Sequence, residues 1–200
     1  MRLGIFGGTF SPPHIGHISS AEKFILQCKL DKLLIIPAYI APHKDRAEAD
    51  IPQHRLNMAR LAFAALGERA EVSDIEISRG GKSYTFDTLT ALGEKDELFL
   101  LCGTDMMMNF ESWYRFEEIF KMCTVAVCER YSPTSEENAA LKVKTEYFKN
   151  RYGAKIMTLA GVSVPISSTA IREMIKNGED VSAYVGDDVT EYIEEKELYR

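Results

Sequence analysis

The sequence predicts an α/β fold: a doubly wound parallel sheet flanked by helices, with a helical segment at the C-terminus. Three observations lead there. Short apolar runs alternate with helix-period segments along most of the chain, as repeated strand–helix units require. The first apolar run, "LGIF", passes directly into a glycine pair and a helix start. A length of 200 residues suits one sizeable core, so residues 1–200 are expected to form a single domain.

The elements follow in order. Strands are expected at residues 3–6, 32–37, 71–77, 97–102, 124–128 and 155–159, each a short run rich in Val, Ile, Leu or Phe. Between them, "SSAEKFILQC", "QHRLNMARLAFAAL" and "YTFDTLTALGEK" repeat apolar residues every three or four positions, so each can cover a face of the sheet. Residues 135–152 form a more polar, peripheral helix. "AYIAPHKDRAEADIP" is the longest irregular stretch, and in a doubly wound sheet a loop at a strand's C-terminal end borders the ligand crevice. It is a candidate lid.

Composition narrows the function classes. The chain is 46% hydrophobic and 27% charged, with a formal net charge of −6, which argues against a general binder of nucleic acid or membrane surfaces. No run approaches a membrane span, and "MRLGIFGG" has too short an apolar core for a signal peptide. A cytoplasmic protein is expected, with a homo-oligomer left open. Cys28, Cys102, Cys123 and Cys128 lie mostly in apolar runs without metal-ligand spacing, so they read as buried free thiols.

Residues 7–17, "GGTFSPPHIGH", place a glycine pair between a strand and a helix, where backbone N–H groups and a helix N-terminus meet an anion. The spacing of His14 and His17 puts both imidazoles on one face of the first helical turn, adding two donors. Gly16 between them leaves room for a flat base or ribose. A tight turn with a surface histidine pair is the ordinary use of such residues. A second segment, "ISSTAIRE" from Ile166 to Glu173, opens another helix with Ser167, Ser168 and Thr169, and Arg172 follows one turn later; a simple capping box is its ordinary use.

Together the two segments resemble the paired signatures of the nucleotidyltransferase superfamily, "GTFDPxHxGH" and "ISSTxIR", with Ser11 standing where that family usually has Asp. The resemblance implies a Rossmann-like sheet and ATP as cosubstrate. It assigns His14, His17 and Arg172 to catalysis, stabilising charge on the transferring phosphates. Gly7, Gly8, Thr9, Phe10 and Gly16 join them at ATP from the first segment, and Ile166, Ser167 and Ser168 from the second. The related class I aminoacyl-tRNA synthetases do not fit, because this short acidic chain has neither a "KMSKS"-like loop nor a tRNA-binding appendage.

The acceptor is read from the remaining segments: "APHK" ending at Lys44, "SYTFDTL" from Ser83, "GTD" from Gly103, "SWYR" ending at Arg115, and Arg130. Separately, Lys44 can be a loop charge, Thr85 and Asp105 helix caps, and Trp113 a core filler. Jointly they resemble the bacterial nicotinate mononucleotide adenylyltransferase family. That resemblance implies that the pyridine ring stacks on Trp113 and that amides near Thr85 and Tyr114 receive its carboxylate. Lys44 and Asp105 would contact both substrates, and Arg130 the mononucleotide. Mg²⁺ is implied through the ATP phosphates, with no protein metal ligands. Partners would be ATP and nicotinate mononucleotide, without nucleic acid or membrane. Competing acceptors are nicotinamide mononucleotide, phosphopantetheine and a polyol phosphate; a nucleotide-binding regulator without turnover is the reading from another class.

Overall fold

The structure, a computed structural model, describes residues 1–41, 51–128, 134–160 and 164–200. Six described strands form one sheet, all pairs parallel: β1 (Arg2–Gly8), β2 (Lys32–Pro37), β3 (Ala70–Val72), β4 (Glu97–Gly103), β5 (Cys123–Cys128) and β6 (Ile156–Leu159). Their spatial order is β3-β2-β1-β4-β5-β6, the doubly wound arrangement. The chain moves outward from β1 to β3, then crosses back to lay β4 on the other side of β1. The switch point therefore lies between the C-terminal ends of β1 and β4.

Period-2 alternation along the strands builds two apolar layers. Leu3 and Ile5 of β1, Leu98, Leu100 and Cys102 of β4, and Val125 and Val127 of β5 face one layer. Helices α4 (Thr85–Leu92), α6 (Phe116–Met122) and α7 (Ser135–Tyr152) cover that layer through Leu89, Ile119, Phe120, Leu141 and Phe148. Phe6, Leu33, Ile35, Phe99, Leu101 and Ala126 face the other layer, under α1 (Ile15–Gln27) and α2 (Pro52–Phe63). Beyond β6, α8 (Ser168–Lys176), α9 (Ser182–Val185) and α10 (Asp187–Glu195) form the expected C-terminal helical segment. These pack a third cluster of Met58, Ile171, Val181, Val185, Val189, Ile193, Leu198 and Tyr199.

One expected element is corrected. The strand expected at residues 71–77 pairs only through Val72, and Ile75–Arg79 is a short helix, α3. The Ser73 hydroxyl accepts from the Ile75 amide at 3.4 Å, while the Ser78 amide donates to the Asp74 carbonyl at 2.8 Å, so the chain turns there. A buried partner drives the change: Glu76 is taken inside, where the Thr88 hydroxyl donates to it at 2.6 Å. Cys28, Cys102 and Cys123 are buried free thiols, and burial pushes the Cys28 thiol up to about 11. Among the described residues no helix is long and apolar enough to cross a membrane.

Candidate active site

The crevice at the switch point is floored by glycine on both central strands. A Cβ added at Gly7, near the end of β1, or at Gly103, which ends β4, would meet no atom of the described residues within 4 Å. Among the described residues, then, packing requires neither glycine, which leaves room for a ligand at both strand ends. Gly8 follows, its carbonyl accepting from the Ala38 amide at 2.9 Å.

After β1 the chain turns through Thr9 and Phe10. Phe10 adopts a left-handed backbone, φ 52°, at a cost of about 1–2 kcal/mol. Burial of its ring to 1% exposure is worth about 1.5–3 kcal/mol and offsets that strain. The ring meets Phe6 at 5.2 Å, Phe63 at 5.6 Å and His17 at 5.1 Å between centroids, so it supports one catalytic candidate from below. Phe10 thus acts through packing on His17.

His14 is the N-cap of α1 and His17 the third residue of its first turn. Their rings stack at 3.7 Å, and the His14 amide donates to His17 Nδ1 at 3.2 Å. That bond assigns the neutral His17 tautomer: Nδ1 accepts, so Nε2 carries the proton. His14 Nδ1 is buried without a hydrogen-bond partner, and burial lowers its imidazole to about 4, which keeps His14 neutral at pH 7. Gly16 turns out to serve this histidine. A Cβ there would stand 3.0 Å from His14 Nδ1 and Cε1, so the space expected for a base or ribose is bordered by His14 itself.

The second signature meets the first across the loop. Ser167 is the N-cap of α8, accepting from the Ala170 amide at 3.1 Å, and Ile166 precedes it half-buried. The Ser168 hydroxyl donates to the Pro12 carbonyl at 2.9 Å. Arg172 donates to the Ser11 carbonyl at 2.7 Å and to the Thr169 hydroxyl at 3.2 Å. Residues 156 or more positions apart are thereby joined at one border of the crevice.

Two of the acceptor segments come together. The rings of Tyr84 and Tyr114 lie 4.8 Å apart, and Arg115 sits 3.9 Å over the Phe86 ring, which brings "SYTF" to "WYR". Thr85 is the first residue of α4, after the N-cap Tyr84. Trp113 is half-buried, one face stacked on Phe110 at 4.6 Å. Asp105 is exposed in the first turn of α5 (Thr104–Met108), whose N-cap is Gly103. Lys44 and Arg130 lie outside the described residues. The base of the candidate lid is pinned, because the Tyr39 amide donates to the Ser83 hydroxyl at 2.8 Å.

Sequence reasoning missed Arg55, which is 3% exposed and donates to the Thr9 carbonyl at 3.0 Å and the Tyr39 carbonyl at 3.1 Å. It ties the loop after β1 to the loop after β2. The signal was a charge on an apolar stripe, Arg55, Ala59 and Phe63 at four-residue intervals, all buried. Among the described residues no group of three or more His, Cys, Asp or Glu gathers to hold a metal.

Comparison with known proteins shows the family. The cytidylyltransferase-like family model matches residues 5–174, which contain both signatures. A protein of Carboxydothermus hydrogenoformans named "Probable nicotinate-nucleotide adenylyltransferase" is 37% identical, covering 100% of this chain and 98% of its own length. One of the same name from Geobacter sulfurreducens is 38% identical, with 100% and 98% covered. The Plasmodium falciparum nicotinic acid mononucleotide adenylyltransferase, solved in complex with NaAD, shares the fold at a TM-score of 0.77 and 19% identity, covering 99% of this chain and 97% of that one. The chain belongs to the cytidylyltransferase-like family and, within it, to the nicotinate-nucleotide adenylyltransferases.

Proposed function

We infer that the chain transfers AMP from ATP to nicotinate mononucleotide, giving deamido-NAD and pyrophosphate. The observation that carries this reading is the junction of the histidine turn with the α8 N-terminus across residues 11 and 12. It brings imidazole, guanidinium, hydroxyl and backbone N–H donors to one end of a glycine-floored crevice.

Such a border suits phosphate chemistry. A phosphate oxygen of the mononucleotide is ionised at neutral pH and needs no general base. It attacks the α-phosphorus of ATP; the bond to the β-phosphate oxygen breaks, and pyrophosphate leaves with the electron pair. The protein must align two anions and stabilise the growing charge. His14 and His17 do so as donors, His17 through Nε2–H, while Arg172, Ser168 and the amides near Gly7 and Gly8 hold the triphosphate. Asp105 contacts the nucleotide. The face of Trp113 opposite Phe110 takes the pyridine ring, and amides of Thr85 and Tyr114 take its carboxylate. Lys44 is assigned to both substrates and Arg130 to the mononucleotide. The donor set matches anionic oxygens better than a cation, so Mg²⁺ would be held by the ATP phosphates, where it supplies charge neutralisation.

The test is pyrophosphate release from ATP and Mg²⁺ against a panel of phosphomonoesters: nicotinate mononucleotide, its amide, phosphopantetheine and polyol phosphates. Nicotinate mononucleotide should be the preferred acceptor. No release with it would overturn the reading.

A further inference from the structure

We propose that Tyr199 is a positioning residue for the ATP side of this site, holding Ser11 so that the turn keeps its shape when Ser168 and Arg172 engage the triphosphate. The proposal rests on the assignment of that turn to ATP.

Among the described residues, four side chains anchor the turn over residues 9–12. Arg55 donates to the Thr9 carbonyl, Arg172 to the Ser11 carbonyl and Ser168 to the Pro12 carbonyl. The fourth is a hydrogen bond between the hydroxyls of Tyr199 and Ser11, 3.0 Å long and 188 residues apart in sequence. Two of these anchors, Arg172 and Ser168, are also assigned to the triphosphate. The Ser168 hydroxyl has one hydrogen and cannot donate to Pro12 and to a phosphate oxygen together. A phosphate oxygen, carrying charge, also competes strongly with a carbonyl for the Arg172 fork. Substrate binding therefore loosens the turn on the α8 side, next to His14. Neither Tyr199 nor Arg55 is assigned to the triphosphate.

The tail is built to deliver this hydroxyl. Leu198 and Tyr199 are 8% and 6% exposed, packed in the cluster that joins α8, α10 and α2. Glu197 and Tyr199 both adopt left-handed backbones, φ 50° and 66°, a conformation that non-glycine residues take at a cost and that packing must hold. Ser11 is 5% exposed, so each hydroxyl satisfies the other away from water. Tyr199 lies outside residues 5–174, the part the family model matches, and outside both signature segments.

The experiment uses the full chain and four variants: Y199F, S11A, the double variant S11A/Y199F, and S11D, which keeps an acceptor for the tyrosine hydroxyl. Melting temperature, kcat, both KM values and the Kd of a non-hydrolysable ATP analogue are measured. Y199F and S11A should each lower kcat/KM for ATP about five- to tenfold, the scale of one lost hydrogen bond that sets geometry. The double variant should lose no more than either single one, since both remove the same bond. KM for the mononucleotide should stay within twofold, and S11D should use ATP better than S11A. Wild-type kcat/KM for ATP in Y199F, or losses that multiply in the double variant, would overturn the proposal, as would a fall in melting temperature alone. If the wild-type chain turns over no acceptor, the functional assignment fails separately, and analogue binding still decides the role of Tyr199: an unchanged Kd in Y199F and S11A refutes it.

Discussion

Replacing His17 by Asn separates the capping role the structure shows from the donor role we infer. Asn Oδ1 stands about where imidazole Nδ1 stands, so the variant can still accept from the His14 amide, now bonded at 3.2 Å. What it lacks is Nε2–H. It also loses the stack on His14 at 3.7 Å and the edge contact with Phe10 at 5.1 Å, aromatic pairs worth about 0.5–1.5 kcal/mol each. The expected stability loss is therefore about 2 kcal/mol, a drop of roughly 4–8 °C for a chain of this length. Against an ordinary reserve of about 5–15 kcal/mol, that leaves nearly all molecules folded. Loss of one preorganised donor at a transferring phosphate should lower kcat by about 10²–10³, far more than unfolding explains. His17→Gln is the mirror case: its amide reaches toward the Nε2 position but gives up the Nδ1 acceptor, so it should recover part of kcat while weakening the α1 cap. Pyrophosphate release at saturating ATP and nicotinate mononucleotide measures both. Turnover by His17→Asn within threefold of wild type would refute the donor role and leave His17 a structural cap.

Other outcomes follow from the same geometry. His14 is held to about 4 against an ordinary 6.5, so between those values the unfolded chain binds a proton the folded one refuses; stability is full above pH 6.5 and falls by about 3 kcal/mol as pH drops to 4. Thermal melting of wild type should therefore steepen against pH in that window relative to His14→Asn, and parallel curves would contradict the burial argument. Gly7→Ala adds a methyl that touches no protein atom, so its melting temperature should match wild type while kcat/KM for ATP falls; unchanged kinetics would mean that no ligand approaches this strand end. Nicotinate mononucleotide should exceed its amide about a hundredfold or more in kcat/KM, because backbone donors aimed at a carboxylate are left facing an NH₂ edge. Trp113→Ala should weaken both acceptors and keep most of that ratio; equal wild-type use of acid and amide would remove the acceptor assignment.

The sequence by itself determined the layers of this fold. Alternating strand runs and helix-period segments depend on local spacing, and five of the six strands lie where the runs lie, give or take the residues at their ends. The two signature segments were also legible, because a glycine turn, a histidine pair and a Ser–Ser–Thr helix start are each contiguous. Tertiary structure alone decided what those residues touch. The strand expected through Ile77 ends at Val72 because Glu76 finds Thr88, a partner 12 residues away that no local pattern announces. Gly16 is small for the sake of His14, whose ring folds back over the helix start. Arg55, Ser168, Arg172 and Tyr199 converge on Thr9, Ser11 and Pro12 from α2, α8 and the segment after α10. A hydrogen bond across 188 positions leaves no periodicity to read. Its existence depends on how helices dock on a sheet, and only the folded chain fixes that.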